Sequence, residues 1–359
     1  MGGAESRIMD VFRNIDRDKF QFDFLAMTYN AQYYDQPIAQ LGGRMFRLPS
    51  PRESGIVKNL QGMYRIFRKE KFDVVHAHTS FHGGLAAMAA FFAGVRIRIV
   101  HGRTTGSKTV SKSSKLSLFI GKILIRLFAT HRLAISSEAG KYLFGNSKFN
   151  VLPNAIDLNR YLKVQAYAVD ELRNNLGISP DASIIGMVGR FESMKNHVFT
   201  INWFAEFHRQ HPNAYLVLVG DGVLRLQMEE MSRVLGVSSN VLFTGVQQNI
   251  PVYMKLFDVL IVPSLFEGLC GTILEAQAAG TPVVKSTSFT NEADMGLGLV
   301  VAVSLKENYA TWSSAVNQAI ELKKPSEENI VASFRQRKYT LDDEIQELQR
   351  IYSSGIERK

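Results

Sequence analysis

Short apolar runs rich in Val, Ile and Leu alternate with helical periodicities along almost the whole chain. In the first half, strand-length runs fall at 22–27, 45–48, 73–76, 97–100, 132–135 and 150–152, with helical spacing between them, as over 55–68 and 84–93. The second half repeats the rhythm: strands are expected at 184–188, 215–219, 241–243, 259–262 and 283–285, and helices at 198–210, 224–235, 250–256 and 272–279. Such alternation predicts an α/β fold of parallel sheets covered by helices, and the apolar runs suit strands buried on both faces. The rhythm breaks once. Pro153-Asn154-Ala155-Ile156-Asp157 carries turn signals, and a polar helical stretch follows to Gly177, which puts a hinge near 155–180. The expected domains are therefore 1–165 and 166–335, followed by a charged amphipathic helix within 336–359.

Composition narrows the setting. The chain has 359 residues, 46% of them apolar and 21% charged, the profile of an ordinary soluble protein. No apolar run reaches the roughly 20 residues that span a bilayer. The start, Met1-Gly2-Gly3-Ala4-Glu5, has neither the basic residues nor the apolar stretch of a signal peptide. The single cysteine, Cys270, excludes an internal disulfide and a cysteine-cluster metal site, and suits reducing cytoplasm. The net charge of +9 suits an anionic partner, and no nucleic-acid-binding motif accompanies it. From Lys108 to Arg132 there are six Lys and Arg and no acid, interleaved with Leu116, Leu118, Phe119, Ile120, Ile123, Leu124, Leu127 and Phe128. This basic amphipathic pattern fits either a core-facing helix with a solvated cationic face or a helix lying on an anionic membrane.

Ligands of doubly wound sheets bind where strands end and helices begin, and four candidate clusters stand at such places. Ser264 to Val283 follows the expected strand 259–262. It carries Glu267 and Gly268-Leu269 in a loop and Glu275 early in the next helix, where backbone N–H groups favour an anion. Alone, Glu275 fits equally well as a helix-end acid. Gly189-Arg190-Phe191-Glu192-Ser193-Met194-Lys195-Asn196 follows the strand 184–188 and sets two cations five residues apart, able to grip a diphosphate or simply to face solvent. His76-Ala77-His78 ends a first-half strand, and a buried structural histidine would look the same. Gly2-Gly3-Ala4-Glu5 supplies a glycine-rich opening.

Taken together, Glu267-x7-Glu275, the following Ala-x-Ala-x-Gly-x-Pro-Val and Gly189-Arg190-x4-Lys195-Asn196 resemble the signature of the retaining glycosyltransferase family 4, in its capsular and exopolysaccharide branch. The resemblance implies the GT-B fold, with two Rossmann-like doubly wound parallel-sheet domains facing a cleft. It implies that Glu267 contacts hydroxyls of the donor sugar, that Glu275 holds the nucleotide ribose, and that Arg190 and Lys195 bind the diphosphate. It gives His78 a catalytic place beside the sugar and Gly268, Leu269, Gly2 and Gly3 a place at the donor. The family's glycine-rich loop follows a first strand that is missing before Gly2 here, and Cys270-Gly271 stands where the family often has Pro and an apolar residue. No metal or other cofactor is implied. The implied activity is transfer of a hexose from a UDP-sugar to a glycan or lipid-linked glycan, in the cytoplasm or at the inner membrane face. A GT-B epimerase or phosphorylase, and a catalytically impaired binding or scaffold protein, are the rival readings.

Overall fold

The computed structural model describes residues 3–104 and 112–354. The chain forms two compact units, one of Met1–Ala155 with Leu341–Lys359 and one of Ile156–Thr340.

The second unit is built on a six-stranded parallel sheet of β7 (Ile184–Val188), β8 (Tyr215–Val219), β9 (Val241–Gly245), β10 (Val259–Val262), β11 (Val283–Ser286) and β12 (Val300–Val303), in the order β12-β11-β10-β7-β8-β9. Successive side chains of a strand point to opposite faces, so each strand feeds two cores. Ile184, Val217, Val219, Leu260 and Val262 join one apolar cluster. Ile185, Met187, Leu216, Leu218 and Ile261 join the other, with Trp203 and Trp312. Gly186 makes room for the ring of Phe257, since a Cβ there would lie 2.1 Å from it. The strand β12 goes beyond the sequence expectation: Val300-Val301-Ala302-Val303 is a short strand run, but it follows a glycine-rich stretch that hid its start.

In the first unit, β1 (Phe24–Ala26) and β2 (Met45–Arg47) form a parallel pair. Next, β3 (Val74–Ala77), β4 (Ile97–Gly102), β5 (His131–Ala134) and β6 (Asn150–Val151) form a separate parallel sheet in that order. Among the helices of this unit are α1 (Gly3–Asn14), α2 (Gly83–Phe92) and α3 (Lys112–Phe128). Gly3 is the first residue of α1, whose apolar residues Met9, Val11 and Phe12 are buried. Gly2 lies outside the described residues.

The tail helix, here α6 (Leu341–Ser353), is not a separate appendage. Its stripe of Leu341, Ile345, Leu348, Ile351 and Tyr352 is buried with Val11, Ile15, Ile97, Ile99 and Leu133 of the first unit. Burying such a stripe is what holds an amphipathic helix in place. The chain enters the second unit beside the point where it leaves, with Ile156 bridged to Thr340. Among the described residues no helix is long and apolar enough to cross a membrane.

Candidate functional site

In the second unit, β7 continues to β8 on one side, and its other neighbour is β10. The strand order thus reverses between β7 and β10, the position where open α/β sheets hold their ligands. The loops that follow these two strands carry the two strongest motifs. They are stitched together: Leu265 N donates to Met194 O (2.9 Å), and the Asn196 amide donates to Pro263 O (3.1 Å). Asn196 sits in the left-handed region at φ 63°, which ends the short 3-10 turn Ser193–Lys195 and starts α4 (His197–Gln210).

This stitching brings Lys195 to Glu267. Lys195 Nζ donates to Glu267 Oε1 at 2.6 Å, and the Ser264 hydroxyl donates to the same oxygen at 2.8 Å. Burial pulls the ammonium of Lys195 down, but Cys270 and Glu267 beside it leave it raised overall. Burial likewise pushes the Cys270 thiol up to about 11. It is a neutral thiol at ordinary pH, so the carboxylate of Glu267 is the charge that Lys195 answers. An ammonium has three protons to give, so the ion pair leaves Lys195 able to hold a second anionic group.

The remaining second-unit residues are arranged unequally. Arg190 is exposed and pairs with Glu192 at 2.9 Å instead of with Glu267. Gly268 and Leu269 are half-buried in the loop before α5 (Gly271–Ala278), and Glu275 is half-buried in the second turn of that helix. A Cβ on Gly271 would meet nothing within 4 Å, so the start of α5 has open space beside it. Gly220 is required after β8: its φ is 139°, and a Cβ would lie 2.0 Å from Gly189 O. Phe191 N donates to Asp221 O (3.0 Å) and Gly220 N to Gly245 O (2.8 Å), so the loops after β7, β8 and β9 form one rim. His197 stacks on Phe191 with ring centroids 4.1 Å apart, and burial lowers it to about 4.

The first unit gathers three histidines at the ends of β3 and β4. The rings of His76 and His78 lie 4.1 Å apart, and His101 lies within 5.5 Å of both. Arg103 Nε donates to His78 Nδ1 at 2.9 Å, and its guanidinium also donates to the Asn154 side chain. His78 Nδ1 is therefore an acceptor, and the proton of the neutral ring sits on Nε2, where it can be given to a hydroxyl or phosphate oxygen. Burial holds His78 well below the ordinary histidine range, with His76, Arg103 and His101 adding to the effect. His76 pairs with the Tyr352 hydroxyl of α6 at 2.8 Å, and burial lowers it to about 3. Glu344 of α6 accepts from Ala155 N at 3.1 Å and is pushed up to about 7 by burial, against the pull of Arg103. One nitrogen from each histidine lies within 4.8 Å of the others, a spacing that suits a metal ion. The cationic Arg103, already bonded to one of those rings, opposes it.

Comparison with known proteins places this arrangement. Residues 168–335 match the model of "Glycosyl transferases group 1", and residues 1–160 match that of "Glycosyltransferase Family 4". The chain is 36% identical to EpsF of Bacillus subtilis (strain 168), a protein assigned to the glycosyltransferases, over 99% of this chain and 94% of that one. The chain belongs to the family 4 glycosyltransferases. This glycosyltransferase is also 32% identical to the UDP-Gal:alpha-D-GlcNAc-diphosphoundecaprenol alpha-1,3-galactosyltransferase of Escherichia coli, over 64% of this chain and 62% of that one. Its fold is similar to that of Anabaena HepE, solved in complex with UDP, with a TM-score of 0.80 at 20% identity, covering 98% of this chain and 96% of that one. This likeness shows the GT-B fold. Within this glycosyltransferase, Arg103 was not singled out by sequence, although its position directly after β4 is where a strand-end rule would look. Ser264 and the Asn196 turn were visible only as parts of motifs. The partner of Arg190 could not be read from spacing, because Glu192 competes with any more distant acid.

Proposed function

We propose that this glycosyltransferase moves a hexose from a UDP-sugar to a hydroxyl of a glycan or lipid-linked glycan, with retention of anomeric configuration, in the assembly of a surface polysaccharide. The observation that carries the reading is the Lys195–Glu267 pair at the reversal point of the second-unit sheet. As the glycosidic bond breaks, charge grows on the departing β-phosphate. Lys195 and the N–H groups at the start of α5 stabilise it, an effect worth most when these donors are already in place. Arg190 joins them by leaving Glu192, an exposed pair that costs little to break. Glu267 accepts from sugar hydroxyls, Glu275 from the ribose, and Gly268 and Leu269 present backbone to the donor. His78 offers its Nε2 proton to the sugar or its phosphate. These protein groups supply the charge stabilisation, so a metal or other cofactor is not required.

The acceptor is a lipid diphosphate-linked glycan at the inner face of the membrane, with the protein in the cytoplasm and in peripheral contact with anionic lipid. The diphosphoundecaprenol acceptor in the name of the Escherichia coli relative supports this. The test is a thermal-shift screen of nucleotides, since a ligand of the native state stabilises it by mass action, followed by NMR of products formed with and without acceptor in the presence of EDTA. UDP should stabilise the protein, and transfer should need acceptor, survive EDTA and keep the anomeric configuration. An inverted product refutes the mechanism. Turnover of donor alone favours an epimerase, phosphate-dependent release of the sugar a phosphorylase, and UDP binding without turnover a scaffold.

A further inference from the structure

We propose that Glu344 of α6 is a positioning residue for transfer: its carboxylate balances the charge of Arg103 and so keeps that guanidinium donating to His78 Nδ1. The inference rests on the place proposed for His78 beside the donor, and it adds the last helix of the chain to the groups that prepare that site.

A carboxylate interrupts the apolar stripe of α6. Glu344, Leu348 and Tyr352 recur every four residues and so share one side of the helix, and all three are buried, Glu344 at 2% exposure. Glutamate is almost never buried to that degree unless a partner holds it. Its Oε2 accepts from Ala155 N at 3.1 Å, whereas Oε1 is buried and takes no hydrogen bond among the described residues. Burial pushes the carboxyl up to about 7, and Arg103 is the largest pull against that. Between about pH 4.5 and 7 the folded chain therefore keeps a proton that the unfolded chain releases, so the stability of the first unit falls as pH rises through that window. The charge on Glu344 thus costs stability, and groups perturbed in this way gather at functional sites.

What the charge faces decides its use. Arg103 is the first residue after β4, and the two side chains it donates to, His78 and Asn154, are neutral. Burial lowers Arg103, and Glu344 is the strongest influence holding its proton in place. From α1, Arg7 and Asp10 also face Glu344, but they pair with each other at 3.3 Å. From α6 itself, Tyr352 faces it as a hydroxyl that burial keeps neutral. Arg103 is thus the cation left for Glu344 to balance. The same network grips the segment after β6 at three points: His101 Nε2 donates to Leu152 O at 3.3 Å, Arg103 to the Asn154 side chain, and Ala155 N to Glu344. Tyr352 meets His76 at 2.8 Å, and the His76 ring lies 4.1 Å from that of His78. His78 is therefore backed along two routes, through Arg103 and through His76, that both end on α6. A guanidinium held out of water without a counter-charge is costly. Loss of the Glu344 carboxylate frees Arg103 to turn toward solvent and lets the His78 proton move between its two nitrogens.

The test is nitrogen NMR of the full chain labelled at histidine, together with turnover of UDP-glucose or UDP-galactose read as release of UDP. The His78 signals are those lost in His78→Ala. At about pH 8 the wild type should show a single Nε2–H form. Glu344→Gln, which keeps the shape and can still accept from Ala155 N, should show a tautomer mixture. Its kcat should fall at least about tenfold, while KM for the donor changes less than about twofold. Wild-type kcat should drop as pH falls through about 7, where Glu344 gains its proton. Glu344→Gln should lose that limb, and Glu344→Asp, which restores the charge, should regain turnover. If circular dichroism shows Glu344→Gln unfolded, the wild type decides alone: its His78 signals should pass from one form to a mixture as pH falls through about 7. Wild-type signals that pH leaves unmoved, or a folded Glu344→Gln with the wild-type spectrum and kcat, overturn the inference. A kcat lost in His78→Ala but kept in Glu344→Gln strikes this inference alone, whereas a kcat kept in both refutes the place given to His78 as well.

Discussion

Lys195 holds Glu267 while facing the place proposed for a diphosphate, and these two roles separate in a double-mutant cycle. The pair is 2.6 Å long, with side chains 23% and 14% exposed. Breaking a fully buried ion pair by removing one partner costs about 3–5 kcal/mol, and the residual exposure here brings the expected cost of Lys195→Met nearer about 2 kcal/mol. Glu267 then keeps the hydrogen bond from the Ser264 hydroxyl. Adding Glu267→Gln removes the stranded charge, so the double variant should recover most of that loss, with a coupling of about 1–3 kcal/mol. Binding of UDP should behave differently. A charge-assisted contact to phosphate is worth about 1.5–3 kcal/mol, so Lys195→Met should weaken UDP by at least about tenfold, and the double variant should stay weak. The chain has two tryptophans, Trp203 and Trp312, both fully buried in the second unit. Urea unfolding followed by their fluorescence therefore reads the stability of that unit, and calorimetry reads UDP. If the double variant binds UDP as the wild type does, Lys195 serves only to hold Glu267 and the phosphate assignment fails.

Two further outcomes follow from the buried polar groups. His197 is lowered to about 4 when folded against about 6.5 unfolded, so between pH 7 and 5 the unfolded chain takes up a proton that the native state refuses. Stability of the second unit should therefore fall by about 2 kcal/mol from this residue over that window and be regained as pH rises; His197→Phe, which keeps a ring beside Phe191, should remove that part of the slope in the same fluorescence assay, and an unchanged slope refutes the assignment. Arg103→Met removes the donor to His78 Nδ1, so nitrogen NMR should show His78 passing from a single Nε2–H form to a tautomer mixture, with turnover falling by at least about tenfold. A His78 spectrum unmoved by the substitution would show that Arg103 does not set the ring.

Most of the sheet positions were legible because buried parallel strands write themselves as compact apolar runs; Ile184–Val188 and Tyr215–Val219 have the bounds that their sequence suggests. The reading weakened where tertiary packing overrides local signals. Gly3 looked like a loop residue until α1 buried Met9 and Phe12. The boundary expected near residue 165 falls after Ala155, and the tail helix joins the first unit, because amphipathicity tells that a face is buried and not what buries it. In the candidate site, the motif spacings led to Lys195 and Glu267, but the contact between them depends on β7 and β10 being neighbours, which is a property of the whole sheet. Arg190 shows the limit from the other side: a cation two residues from an acid takes the nearest partner.

The return of α6 to the first unit sets an order of events during synthesis. Residues 156–340 are contiguous, so the second unit has all its strands once Thr340 has emerged from the ribosome. The first unit, although begun earlier, must wait with Val11, Ile97 and Leu133 uncovered until Leu341, Leu348 and Ile351 arrive. Loss of α6 would therefore strike the N-terminal core and deprive His76 of the Tyr352 hydroxyl, while the six-stranded sheet of the second unit would be left whole.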